Sequence, residues 1–357
     1  MAYAVGYNDS EYAAYTSFDA LAKENTFSFP LSVAQNTVSG TEVTPKVYEV
    51  FAGSAPFVVT KKAVVEGGSE YSYQFNVSLT LHRQVAGTIG YFTNVPVKGN
   101  ADHADKVGAK LRLVASGRSA SAAFAAFNSE YTGAPGTTTD NVKYVVNGYG
   151  AAAKATADVA KFYGSTTSDA YTVYEVALSD WFKGTTGTTV GMDINNDGML
   201  NEGDVESSGT ATWVNPYDAS NTKPGVKKGT VLGSSFLFPF AMDSSKPTFQ
   251  LQLLDAAGEI IRYWNIRLQT STSTDSQINR EASLVDANGT VTTNTVKENY
   301  VNYSILRNHL YNIGTRNAGD GGGTDTGTDD KAQPLNNETL ILRVNDNWEM
   351  IHEMEID

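Results

Sequence analysis

Asp193, Asn195, Asp197, Met199, Asn201 and Asp204 stand in the run Asp-Ile-Asn-Asn-Asp-Gly-Met-Leu-Asn-Glu-Gly-Asp, the part of the chain best spaced for chemistry. Oxygen-bearing side chains alternate along its first half, Gly198 sits where a sharp turn is needed, and apolar Leu200 follows two places later. That spacing lets a loop wrap a hard cation in oxygen, so the run predicts a calcium loop. Asp193, Asn195 and Asp197 would ligate by side chain, Met199 by its carbonyl, Asn201 directly or through water, and Asp204 by its carboxylate. Aspartate reaches less far than the glutamate usual at that last position. The same residues also suit a hydrophilic turn closed by Asx hydrogen bonds without a metal.

Other chemistry is scarce. The histidines His82, His103, His309 and His352 are scattered, and His82 and His309 lie in apolar segments, where a hydrogen-bonded structural role is expected. No G-x-S-x-G, H-E-x-x-H or P-loop sequence occurs, and the absence of cysteine excludes disulfides, thiolate metal sites and cysteine nucleophiles. Acidic residues are so frequent that pairs of them do not argue for a glycosidase dyad. The expectation is a protein that is not an enzyme. Its 26 Lys plus Arg against 39 Asp plus Glu, a net charge of -13, would repel phosphate backbones and argues against nucleic acid as a partner.

The elements that must carry the loop read as strands. Thr, Ser, Gly and Asn abound between β-branched and aromatic runs, and 19 Tyr, 15 Phe and 4 Trp supply apolar area for real cores. Residues 71–79 alternate large apolar with small polar side chains, the pattern of a sheet with one face buried. Residues 248–254 and 260–268, joined through Asp255-Ala256-Ala257-Gly258-Glu259, form the best hairpin, and 110–115, 171–178 and 233–240 add further strands. Short helices are expected within 10–24 and 151–163. The fold class is therefore all-β with a few short helices. A chain of 357 residues suits two domains, and the polar stretch 203–229, with Pro216 and Pro224, places the boundary near 225. The first domain, 1–225, holds the calcium-type loop, and the second is 226–357. No run reaches the roughly eighteen apolar residues of a spanning helix.

Residues 317–337 hold no large apolar residue before Leu335, which predicts a flexible linker. Structure should resume over 338–357. Leu340, Leu342 and Val344 alternate, and the parity continues through Trp348, Met350, His352, Met354 and Ile356. Arg343, Glu349, Glu353, Glu355 and Asp357 fill the opposite parity, interrupted by Ile341 and Ile351. Such a one-sided strand must join a sheet. That sheet is either its own domain's or a neighbour's, where main-chain hydrogen bonds give affinity and alternate side chains fill pockets.

At Ser304-Ile-Leu-Arg307-Asn308-His309-Leu310-Tyr311-Asn-Ile313 the chain resembles the fimbrillin superfamily of Bacteroidales surface fimbriae, the type V pili. Members carry an Arg-Asn-His-x-Tyr segment near the end of the second domain, then a loose linker and final strands with a tryptophan, which residues 340–357 with Trp348 match. Leu81-His-Arg-Gln-Val-Ala-Gly87 and Leu111-Arg-Leu-Val114 are similar to the family's first domain, and Phe236-Leu-Phe-Pro239 to the opening of its second. The likeness spans roughly residues 45–357.

The resemblance implies two tandem transthyretin-like β-sandwich domains, export as a lipoprotein, a place on the outer membrane or in a fimbria, and other fimbrial subunits as partners. A host or bacterial surface receptor is a further implied partner, with membrane contact only through a lipid anchor. Shaft subunits of the family polymerise after an arginine-specific protease removes a first strand, leaving a groove for a neighbour's C-terminal strand. Here the first arginine is Arg83. An uncut subunit can donate a strand but not accept one, which suits the anchor or accessory, FimB-like group. Residues 338–357 would be the assembly strand, with Leu340, Leu342, Val344, Trp348, Met350, Met354 and Ile356 as its inserting side chains. The start of the chain lacks a basic region and an apolar stretch, so the expectation is that Met1 replaces a removed leader together with its lipid-bearing cysteine. The rival expectation is a surface glycan-binding lipoprotein using Tyr91, Tyr131, Tyr149 or Trp213 as sugar platforms.

Overall fold

Alternation gives the central strands their inward faces. A computed structural model of the protein describes residues 2–6, 28–30, 37–39, 42–44, 47–55, 57–64, 69–74, 81–83, 85–117, 121–123, 160–166, 170–183, 192–207, 210–217, 226–237, 247–266, 283–285, 291–293, 305, 310–314, 332–336 and 342–345. Among these, strands dominate and the only α-helix is the four-residue Leu178–Trp181, so the chain is all-β.

Nine strands build two sheets. They are β1 Ala86–Thr93, β2 Lys110–Ala115, β3 Tyr171–Ala177, β4 Val231–Leu237, β5 Phe249–Leu254, β6 Ile260–Ile266, β7 Leu310–Ile313, β8 Gln333–Pro334 and β9 Leu342–Asn345. The first sheet runs β4-β1-β7-β9, with β8 also beside β1, and the second runs β3-β2-β5-β6. Pairing is antiparallel except where β7 and β8 lie parallel to β1.

The sheets share one core. Tyr91, Phe92, Val231, Tyr311 and Ile313 from the first meet Leu111, Leu113, Tyr174, Leu251 and Leu253 from the second, all in one buried cluster. The Phe249 and Tyr311 rings meet edge to face with centroids 6.4 Å apart. On β2 the alternation turns Leu111 and Leu113 inward and Lys110 and Arg112 outward.

The opposite face of the second sheet is covered too. Gln252 donates to the Lys161 carbonyl at 2.8 Å, the Tyr163 N–H donates to Gln250 Oε1 at 2.9 Å, and the Tyr163 and Tyr263 rings stack 4.3 Å apart. This second layer explains why every residue of β5 is buried.

Hairpin β5–β6 forms as the sequence predicts. The Asp255 carboxylate accepts the Ala257 and Glu259 N–H groups at 2.9 and 2.8 Å, and Gly258 supplies a φ of +86° that other residues resist.

Three expectations are corrected. The boundary near 225 does not separate two cores, because β1 pairs with β4 and β2 with β5, each pair bridging that position. The described parts of the stretch 203–229, residues 203–207, 210–217 and 226–229, are packed rather than linker-like: Val205, Thr212, Trp213 and Val226 are buried, and the Trp213 indole donates to the Thr230 carbonyl at 2.8 Å. The end of the linker expected over 317–337 is packed instead, since Gln333 and Pro334 pair with Phe92 and Thr93, and Leu335 is fully buried. Residues 317–331 lie outside the described residues. So does the helix expected within 10–24, while 160–163 of the second expected helix are not helical.

The N-terminal part forms a three-stranded sheet of Ala2–Gly6, Phe51–Ala55 and His82–Arg83. Thr60–Ala63 and Tyr71–Gln74 make a separate two-stranded ribbon. At Tyr71 and Tyr73 the expected buried face is open, since they are 47% and 64% exposed, and residues 75–79 of that expected strand lie outside the described residues. Alternation puts residues on one face without supplying a layer to cover it.

Candidate cation loop and strand edge

The loop at 192–205 is held at both ends by apolar anchors, Met192 and Val205, with Leu200 fully buried between them. Met199 and Leu200 pair with Pro96 and Val95, and the Val97 N–H donates to the Gly198 carbonyl at 3.0 Å. Gly229 packs so closely that a side chain there would strike the Asn201–Glu202 backbone. Thus the core fixes the loop's base before any ligand is considered.

Within the loop, Asp193 accepts the Asp197 N–H at 3.2 Å and the Gly198 N–H at 3.0 Å. Asp197 Oδ2 receives the amide groups of Asn195 and Asn201 at 3.0 and 2.9 Å, and its Oδ1 receives the Met199 N–H at 2.8 Å. Gly198 (φ +82°) and Asn196 (φ 58°) take the left-handed conformations that close the turn. Asn195 and Asn201 are therefore gathered on the Asp197 carboxylate, while Asp193 holds the backbone of the turn.

Asp204 plays a different part. It is fully buried, one oxygen accepts the Ile194 N–H at 2.7 Å, and the other accepts the Asn201 N–H at 2.9 Å. The Thr212 hydroxyl donates to its carbonyl. Burial pushes the Asp204 carboxyl above its usual range, and the N–H groups of Asn201, Ile194 and Asn195 pull the other way. For Asp197, burial also opposes ionisation, but hydrogen bonds from the Asn201 amide, the Met199 N–H and the Asn195 amide outweigh it and leave this carboxyl below its usual range. Among the described residues no group of three or more His, Cys, Asp or Glu is placed to hold a metal ion. Half of the polar side chains gathered at Asp197 are amides: Asn195 and Asn201 turn their NH2 groups to its carboxylate, while their oxygens accept the Asp197 and Gly203 N–H groups. Met199 is half-buried in the loop's last strand.

Of the expected assembly strand, Leu342 and Val344 lie in β9, which pairs with β7 of the same chain in the register Leu310↔Asn345 to Ile313↔Leu342. β9 is the outermost strand of its sheet among the described residues. Leu340, Trp348, Met350, Met354 and Ile356 lie outside them. The Arg-Asn-His-Leu-Tyr segment contributes Leu310 and Tyr311 to β7, both buried, as a strand with a buried aromatic should.

Two of the expected sugar platforms are corrected: Tyr91 is fully buried and Trp213 is 7% exposed, so neither ring is open to a glycan. Both pack into the shared core, which claims large rings first. Tyr131 and Tyr149 lie outside the described residues. Among the histidines, His103 meets Glu259 at 3.5 Å on the surface.

One cluster was not anticipated. Glu175 on β3, 1% exposed, takes Lys110 Nζ at 2.8 Å on one oxygen and the Arg112 guanidinium at 2.7 Å on the other. The alternation of charges on β2 hints at it, but the partner strand is not readable locally. No protein-family model, curated protein or solved structure shows detectable similarity to this chain.

Proposed function

We propose that the chain is a non-enzymatic structural subunit of a cell-surface fimbria, of anchor or accessory type, whose C-terminal strand completes a neighbour's sheet. One observation carries this reading: β9 lies at a sheet edge, joined to its own chain through four residue pairs with β7. A short outer strand of this kind exchanges between copies more readily than an inner one. The alternating tail beyond it, with Trp348, Met350, Met354 and Ile356 on one side, supplies the one-sided pattern that strand addition uses.

In this proposal the sandwich stands for a transthyretin-like unit, the partners are other fimbrial subunits, and the location is the outer membrane or the fimbria itself, reached as a lipoprotein. The anchor or accessory position is supported by the lack of any arginine before Arg83, which leaves an arginine-specific protease nothing to cut in residues 1–82. Calcium belongs to the same proposal, with Asp193, Asn195, Asp197 and Asn201 as oxygen donors and Asp204 closing the loop behind them.

Removal of residues 346–357 tests the assembly role without touching the described core. Export should continue while incorporation into fibres is lost, and normal fibres from that variant would end the proposal.

A further inference from the structure

The paired residues of the ribbon, Thr60–Ala63 and Tyr71–Gln74, include two lysines and no carboxylate, in a chain where 39 Asp plus Glu outnumber 26 Lys plus Arg. The register places Lys61 opposite Tyr73 and Ala63 opposite Tyr71, so Lys61, Tyr71 and Tyr73 share one face. Lys62 and Ser72 occupy the other face. Lys61 Nζ stands 3.5 Å from the centroid of the Tyr71 ring, and neither Lys61 nor Lys62 has a carboxylate partner among the described residues. Both rings are open, Tyr71 at 47% and Tyr73 at 64% exposure, in contrast to the buried Tyr91 and Trp213. A cation is thus held beside two uncovered aromatic rings with no counter-charge of its own among the described residues.

Charge and area narrow what fits this face. An unneutralised ammonium calls for an anion, and two phenol rings about 7 Å apart, at alternate positions of one strand, offer flat apolar surface tipped with hydroxyls. With roughly 200 Å² of surface per ring, the exposed fractions leave on the order of 200 Å² of ring open. A protein partner needs about 800 Å² on each side, four times as much. A nucleic acid, whose bases would also stack, is disfavoured by the net charge of -13. A chain of acidic sugars meets every requirement: pyranose C–H faces lie against the phenols, sugar hydroxyls bond the tyrosine O–H groups, and the anionic substituent reaches the ammonium.

We propose that the face carrying Lys61, Tyr71 and Tyr73 binds an acidic polysaccharide, with pyranose rings stacked on the two phenols and a carboxylate or sulfate of the polymer on Lys61 Nζ. Binding there does not depend on how copies of the chain assemble, and removal of residues 346–357 leaves the ribbon intact.

Calorimetry of the full-length protein against polygalacturonate, alginate and chondroitin sulfate tests it. At least one polymer should bind saturably, with an affinity that falls as salt rises. Tyr73→Ala should weaken that binding roughly tenfold, the scale of one lost aromatic contact. Lys61→Gln should weaken it several-fold and flatten the salt dependence. Lys62→Gln removes the same charge from the opposite face and should leave binding unchanged. Lys61, Lys62 and Tyr73 are all exposed, so the melting temperature should hold in each variant and a lost fold is told apart from a lost site. No binding to any of the polymers overturns the proposal. So do equal losses from Lys61→Gln and Lys62→Gln, or polyacrylate binding as tightly as the sugars, either of which reduces the effect to unspecific charge attraction. Binding to phosphatidylglycerol vesicles with none to the polymers would make the ribbon a lipid contact instead.

Discussion

Gly90 and Gly233 face each other across β1 and β4, and the ring of Tyr174 from the opposite sheet fills the space where their side chains would be. A Cβ on Gly233 would meet Tyr174 Cε2 at 2.5 Å and Tyr174 Cδ2 at 2.6 Å, and one on Gly90 would strike the Tyr174 hydroxyl and the Phe92 ring. The two sheets therefore approach closely only because both positions are glycine.

Gly233→Ala should accordingly destabilise the fold by about 1–3 kcal/mol, the usual cost of overpacking a filled core. Chemical denaturation reads this as a lower midpoint with an unchanged slope. Gly258→Ala is the control for steric crowding, because nothing stands within 4 Å of a Cβ there, so its cost should come only from the positive φ.

Tyr174 itself supplies a second prediction. Its hydroxyl is buried without a hydrogen-bond partner among the described residues, so Tyr174→Phe should be neutral or stabilising by about 1 kcal/mol. Burial pushes the phenol far above its ordinary range. The unfolded chain loses this proton near the ordinary tyrosine value of about 10 and the folded chain does not. Stability is thus complete below that pH and falls as pH rises above it, and Tyr174→Phe should flatten this alkaline loss. Melting temperatures of both proteins from neutral to alkaline pH give the measurement. Parallel curves would refute the assignment to Tyr174.

How much of this was legible in the sequence depends on how local the signal is. The β5–β6 hairpin could be read because alternation and the Asp255–Gly258 turn lie within one short stretch. The Asx-closed turn within 193–204, the metal-free alternative for that run, was legible for the same reason. Which strands pair across long separations was not, so β1 with β4 and β2 with β5 appeared only in the fold and removed the expected boundary. Leu335 illustrates the limit further: one apolar residue at the end of a polar run says little until its place beside β1 is known. Gln250 and Gln252 alternate with Leu251 and Leu253, and only the fold shows that the 160–163 segment covers them.

The loop's carboxylates should separate under mutation. Asp204→Asn replaces an acceptor of buried N–H groups with a group that also carries donors, so it should cost about 1–3 kcal/mol whether or not calcium is added. Asp193→Ala with Asp197→Ala removes exposed Asx contacts and should cost less. Added calcium should raise the melting temperature of the natural chain and leave that double variant unmoved. Identical heats of calcium titration for both proteins would show that no cation site exists, leaving the loop as a hydrogen-bonded turn.

The ion cluster on the second sheet allows a ranking. Glu175 is almost wholly buried, so stripping a cation leaves an uncompensated charge, and the cost scales with how well water can replace that cation. Arg112 is 17% exposed at its side chain and Lys110 is 38% exposed, so water replaces Lys110 more easily. Arg112→Ala should therefore cost several kcal/mol, about 3–5 at most, and Lys110→Ala clearly less. Glu175→Gln in the Arg112→Ala background should recover part of the loss, because it removes the stranded charge. A double-mutant cycle by urea denaturation measures the coupling, and equal costs for the two cations would mean that burial of Glu175 is not what sets the energy.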